Sequence, residues 1–185
     1  TWKKWARDRG LSTSSSSDGD AFSMRGQIEG VVLEGVLVQL QDDPDPLLKF
    51  EVRLPDSVPE TLTVETKTSP DVVAAREDTV TGFTKLDETY RFAGRDEFEV
   101  ADWLRRPEIR KALRDVADID ARLSWDGRRL AAESHDALSP GGDAEKLARI
   151  LVELAHELRR IEAPAAPDGS TDQPREQADD WNPPE

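Results

Sequence analysis

Apolar and polar positions along the chain follow two rhythms, a period of two over short windows and a period near 3.6 over longer ones. The first marks strands and the second amphipathic helices. The cleanest strand is 48–54, with Leu48, Phe50, Val52 and Leu54 on one side and Lys49, Glu51 and Arg53 on the other. Residues 22–41 alternate well enough for two strands, with Met24, Ile28, Val36, Val38 and Leu40 expected to face inward. A turn falls within 30–35, where Gly30 and Gly35 leave its position open. Thr61–Thr68 predicts another strand, with Leu62 and Val64 inward, and its β-branched content supports this. From Ile119 onward, Ile119, Ala121, Leu123 and Trp125 alternate with Asp120, Arg122 and Ser124. Asp126-Gly127 then predicts a type I′ hairpin turn into a strand that buries Leu130 and Ala132.

The helical rhythm appears at both ends and in the middle. Trp2, Trp5 and Ala6 share one face of a short first helix, with Gly10 placed to end it and Leu11 to make the hydrophobic contact after it. Ser69-Pro70 opens a short helix through Arg76. Thr79–Phe83 and Thr89–Phe92 read as short strands or ordered loop. Asp96 begins a helix that carries Phe98, Val100, Trp103 and Leu104. Pro107 ends it and starts the next, whose buried stripe is Ile109, Leu113 and Val116. Asp143 caps a final helix to about Glu162, with Leu147, Ile150, Leu151, Leu154, Leu158 and Ile161 on its apolar face. The opposite face carries Glu145, Lys146, Arg149, Glu153, Glu157, Arg159 and Arg160. It reads as solvated, with an attractive Glu145–Arg149 pair and a repulsive Glu153–Glu157 pair. The resulting order, α-β-β-β-β-α-α-β-β-α, predicts a two-layer α+β fold, an antiparallel sheet with helices packed on one face.

Composition divides this pattern into regions. Residues 1–11 form a basic, Trp-containing helix of net charge +3, and 12–20 a Ser-rich linker expected to be mobile. Residues 21–162 form the α+β domain. Residues 163–185 form an acidic tail of net charge -5, expected to be disordered. The whole chain carries -14, which argues against nucleic-acid binding because a phosphate backbone needs a basic face. No cysteine is present, so disulfides, thiolate zinc sites and cysteine nucleophiles are excluded. No run reaches the roughly 18 apolar residues of a membrane span. Trp2, Trp5 and the neighbouring basic residues also suit the border of a membrane, so a tether upstream of Thr1 stands beside the packed-helix reading.

Catalytic and cofactor motifs are sparse. There is no G-x-x-x-x-G-K-[ST] loop and no G-x-G-x-x-G turn. His135 and His156 are the two histidines, each without a second ligand nearby in sequence, and both read as surface residues. Asp42, Asp43 and Asp45 share one loop with Pro44 and Pro46 but lack the calcium-loop spacing. No cofactor and no metal are expected. The residues expected to meet a partner are Asp42, Asp43 and Asp45 in that loop, with Glu51 and Arg53 on the outward side of the strands at 48–54 and 62–68.

Two resemblances follow from the elements and phrases above. The leading helix, antiparallel strands, middle helix, hairpin and final amphipathic helix resemble the type III secretion chaperone fold over residues 2–162. That likeness implies a small, acidic, dimeric protein that holds an unfolded partner segment without catalysis. The chain departs from it by the strand at 61–68 and the split middle helix. The stretches WARDRGL, GQIEG, TVTGFTKLDETYRFAG and LRRPEIRKAL resemble an uncharacterised bacterial α+β domain family found behind membrane spans. The leading expectation is therefore a non-enzymatic, acidic protein-interaction domain. It would bind a protein partner, with a homodimer as a further expectation, in the cytoplasm or at the cytoplasmic face of a membrane. A structural domain of a membrane-anchored protein and a carboxylate-based hydrolase stay open as alternatives.

Overall fold

A computed structural model describes residues 1–17, 21–38, 46–54, 61–67, 79–135 and 141–160. In chain order the described elements are α1 (Trp2–Asp8), β1 (Ser12–Ser15), β2 (Ala21–Ile28), β3 (Val31–Val38), β4 (Leu47–Arg53), β5 (Thr63–Thr66), α2 (Thr84–Thr89), β6 (Tyr90–Ala93), α3 (Glu97–Leu104), α4 (Pro107–Ala117), β7 (Arg122–Asp126), β8 (Arg129–Ser134) and α5 (Gly142–Arg160). The strands form one antiparallel sheet in the order β1-β2-β3-β4-β8-β7-β5-β6. The architecture is α+β in two layers.

Alternation along β4 explains the layering. Leu48, Phe50 and Val52 are fully buried under the helices, while Lys49, Glu51 and Arg53 face the other way. α5 lies over β3, β4 and β8, with α4 beside it. Leu147, Leu151, Leu154 and Leu158 fill the space between helix and sheet. Trp2 and Trp5 of α1 reach the same core, packing edge-on against each other at 5.4 Å and each 6.2 Å from the Phe50 ring. α1 ends where the sequence provides for it. Gly10 takes φ +70, and the amides of Gly10 and Leu11 donate to Arg7 O and Ala6 O at 3.0 and 2.9 Å. These are the two bonds of a Schellman cap. Asp96 caps α3 by accepting from the Glu99 amide at 2.9 Å, and Pro107 occupies the first turn of α4. The Tyr90 hydroxyl donates to Leu113 O at 2.6 Å and ties β6 to α4. Burial first, and the Asp118 carboxylate second, push this phenol well above its ordinary range.

Several expectations are corrected. Ser12–Ser15 is not part of a mobile linker but the edge strand β1. Ser12 Oγ donates to Arg25 O at 2.8 Å and the Ser14 and Ser23 hydroxyls meet at 2.6 Å, so serine here serves a strand pair. Trp2, Trp5, Ala6 and Leu11 are buried in the core and β1 extends the sheet, so both α1 and β1 belong to the domain. The β2–β3 turn is Glu29-Gly30, with φ +52 and +79 and Ile28 paired to Val31. That tight turn sets the parity of β3. Val31, Leu33 and Gly35 face inward, whereas Val36 is 38% exposed, the reverse of the expected face. The hairpin at β7–β8 has Gly127 and Arg128 at its centre, with Asp126 paired to Arg129. Only Gly127 has positive φ, the pattern of a type II′ turn rather than type I′. β7 starts at Arg122, three residues after the expected Ile119, because Asp120 adopts φ +51. Residues 84–93 contain α2 and β6, and with β1 they give the observed order one more helix and two more strands than expected. The expected helix at 69–76, the remainder of the linker at 18–20 and the tail at 163–185 lie outside the described residues. No described helix is long and apolar enough to cross a membrane.

Candidate partner-binding surfaces

Two surfaces have the geometry to receive a partner. The first is the open face of the sheet, where the sequence placed Glu51 and Arg53. Both residues sit on β4 and point away from the helices. The strands at 48–54 and 62–68 are not neighbours, because β8 and β7 lie between β4 and β5. A shallow depression of about 280 Å³ crosses these four strands, lined by Lys49, Glu65, Arg122, Ser124, Arg129 and Glu133. Its charges largely answer one another. Lys49 lies 3.5 Å from Glu133, and Arg129 lies 3.2 Å from Asp126 and 4.0 Å from Glu51. Glu51 is thus drawn into this network, and Arg53 pairs in register with Arg129. The loop residues Asp42, Asp43 and Asp45 lie outside the described residues.

The second surface runs along α5. Between α1, the β2–β3 turn and the first half of α5 is a cleft of about 530 Å³. Trp5, Ile28, Ala148 and Val152 give it apolar walls, and Arg9, Glu145, Lys146 and Arg149 line it with charge. The Arg9 guanidinium sits 4.4 Å over the Trp5 ring and pairs with Glu145 across the cleft. Arg149 pairs with Glu153 at 3.7 Å. A second hollow of about 510 Å³ lies between α4 and α5, and Glu29 and Glu153 line both. The two hollows therefore adjoin at the hairpin tip beside α5, and together they make the candidate groove. The second hollow is acidic, with Glu29, Glu108, Glu153 and Glu157 against Lys111 and His156. Lys111 is itself engaged by Asp115 at 2.6 Å, a hydrogen bond that raises its pKa. His156 Nε2 lies 3.7 Å from the Glu29 carboxylate, and Arg159 donates to Gly30 O at 3.0 Å, so the hairpin tip is held against α5.

Two atoms in the groove are anomalous, and His156 Nε2 is one of them, buried without a hydrogen-bond partner. Trp5 is 6% exposed, and its indole nitrogen is buried with no hydrogen-bond partner. Buried donors almost always find an acceptor, and leaving one unmade costs about 1–3 kcal/mol. Among the described residues no three or more His, Asp or Glu gather as a metal site.

Sequence reasoning missed this surface. The polar face of the last helix read as solvated, but α1 and α4 flank it and turn part of it into a groove wall. Glu145 pairs with Arg9, 136 positions away, instead of Arg149. His156 is not a plain surface residue, since its side chain is 35% exposed and faces the second hollow. No local spacing signals either contact.

No family model matches the sequence, and no curated protein is similar to it at a significant level. The fold is similar to the crystal structure of the mycobacterial trehalose monomycolate transport factor A, TtfA. The TM-score is 0.54 at 12% identity, over 89% of this chain and 95% of the other. The likeness concerns the fold.

Proposed function

We propose that this protein is a non-enzymatic interaction domain that seats an extended segment of a partner protein in the groove beside α5. The observation that carries the reading is Trp5, which lines a 530 Å³ cleft and whose buried indole N–H has no acceptor. A peptide segment brings backbone carbonyls at every residue, and one of them would satisfy this donor once the side chains over it move aside. The groove's mixture of apolar wall and paired charge is the make-up of a protein-binding surface with an apolar centre and polar rim. A transport factor with a similar fold is compatible with a role in handling a partner rather than converting a substrate. The proposed place of work is the cytoplasm, including the cytoplasmic face of a membrane.

The test is site-specific photo-crosslinking in the native cell. A photoreactive residue replaces Arg149 at the groove rim in one variant and Arg53 on the open sheet face in another. The expected result is one protein adduct from position 149, reduced at least fivefold when Trp5→Phe removes the indole N–H but keeps an aromatic ring. Adducts from position 53 alone would move the site to the sheet face. A turnover activity abolished by a groove carboxylate substitution would replace the interaction reading with an enzyme.

A further inference from the structure

The two edges of the sheet are finished differently. At the β6 edge, the Thr79 amide donates to Phe92 O at 2.9 Å, so described chain lies along the outer side of that strand. At the β1 edge no described residue does the same. The hydrogen-bond phase of β1 shows which groups this leaves open. Ser16 N donates to Ala21 O at 2.9 Å, in line with the register that pairs Ser15 with Phe22 and Ser12 with Arg25. In an antiparallel pair, alternate residues turn their N–H and C=O to the same neighbour. Ser14 and Ser12 therefore turn theirs to β2, as Ser16 does, and Thr13 and Ser15 turn theirs to the outside. All four residues of β1 are exposed.

Sheet edges are normally protected by Lys, Pro, a bulge or a covering segment. Residues 12–15 contain no Lys or Pro, and the one-to-one register with β2 leaves no bulge. An unguarded edge offers a template for another strand. The adjoining charge says what kind of strand fits. α1 packs beside β1 and exposes Lys3, Lys4 and Arg7, a basic corner on a chain of net charge -14. An acidic segment would be attracted. Asp18 and Asp20 follow β1 in the sequence, so the acids of the incoming strand belong beside its Ser12 end.

We propose that the outer edge of β1 accepts an extended acidic segment of a partner protein as an added antiparallel strand, hydrogen-bonded to the backbone of Thr13 and Ser15. This site is distinct from the groove and does not depend on Trp5. The test uses the full chain and two capped octapeptides of alternating Thr and Val. One carries two Glu in its C-terminal half, and the other carries two Lys there. Amide hydrogen exchange is followed at residues 12–16. The expected result is at least tenfold protection of the Thr13 and Ser15 amides by the Glu peptide, weakened by salt, and none by the Lys peptide. Ser15→Pro removes an outward amide and should abolish peptide protection at Thr13 with no change in melting temperature, because edge strands tolerate Pro where the N–H faces solvent. Ser14→Pro removes a ladder amide and should lower the melting temperature. Equal protection by both peptides, retained binding in Ser15→Pro, or equal melting losses in both proline variants overturn the proposal. A concentration-dependent dimer in sedimentation that Ser15→Pro abolishes would assign the edge to a second copy instead.

Discussion

Gly35 tests the register of the central hairpin more sharply than any other residue. It lies on β3, faces the core and sits opposite Met24 of β2 and Phe50 of β4. A methyl group at this position would lie 2.8 Å from Met24 Cγ, 2.9 Å from Phe50 Cε1 and 3.1 Å from Phe50 Cδ1. Met24 can change rotamer, but Phe50 is fully buried and its ring is held by Trp2 and Trp5. Overpacking of this kind costs about 1–3 kcal/mol. Replacing Gly by Ala within a strand returns about 0.5–1 kcal/mol through the unfolded chain. Gly35→Ala should therefore destabilise by about 1–2 kcal/mol in urea titration, and lower the melting temperature by roughly 2–8 °C for a chain of this size. Met24→Ala should cost less in the Gly35→Ala background than in the parent, because the two side chains compete for one space. Val36→Thr is the control. At 38% exposure it should stay within about 0.5 kcal/mol of the parent. If β3 instead had the opposite parity, Gly35→Ala would be neutral or stabilising. Val36→Thr would then bury an unpaired hydroxyl at about 1–3 kcal/mol. That pair of results would refute the register.

Gly127 has φ +54 and its amide donates to Leu62 O at 3.0 Å, so Gly127→Val should cost about 1 kcal/mol or more in thermal denaturation. Tyr90→Phe should cost about 1–2 kcal/mol near neutral pH by removing the 2.6 Å bond to Leu113 O. The folded-state pKa of Tyr90 is raised, so its contribution is intact below the unfolded value near ~10 and is lost as pH rises above it. Tyr90 is the chain's one tyrosine, so ultraviolet titration of phenolate should show ionisation only together with alkaline unfolding. A free titration near ~10 in the folded protein would contradict its burial. Chelator or added calcium should leave the melting temperature unchanged, and a calcium-dependent rise abolished by Asp43→Asn would reveal a site in the acidic loop.

Much of the architecture is determined by the sequence alone, wherever one face of an element is buried and the other is not. Leu48, Phe50 and Val52 alternate against Lys49, Glu51 and Arg53, and the buried stripe of α5 recurs every three to four residues. In both cases a single period names the inward face, because solvent and core act on opposite sides of the same backbone. The Pro107 start of α4, the Gly10 stop of α1 and the Asp96 cap are local for the same reason, since their partners lie within five residues. β3 differs because Val31, Val32 and Leu33, then Val36, Leu37 and Val38, put apolar side chains on both faces. Its parity was decided by the Glu29-Gly30 turn and by the space that Gly35 leaves for Met24 and Phe50. The serine strand β1 carries no apolar signal at all, and only pairing with β2 makes it a strand. Separation of β4 from β5 by the β7–β8 hairpin, and the Arg9–Glu145 pair across the cleft, likewise join residues far apart in the chain. The candidate groove belongs wholly to this second class. Its walls come from α1, α4, α5 and one hairpin tip, and no single segment carries enough of them for a periodicity to report.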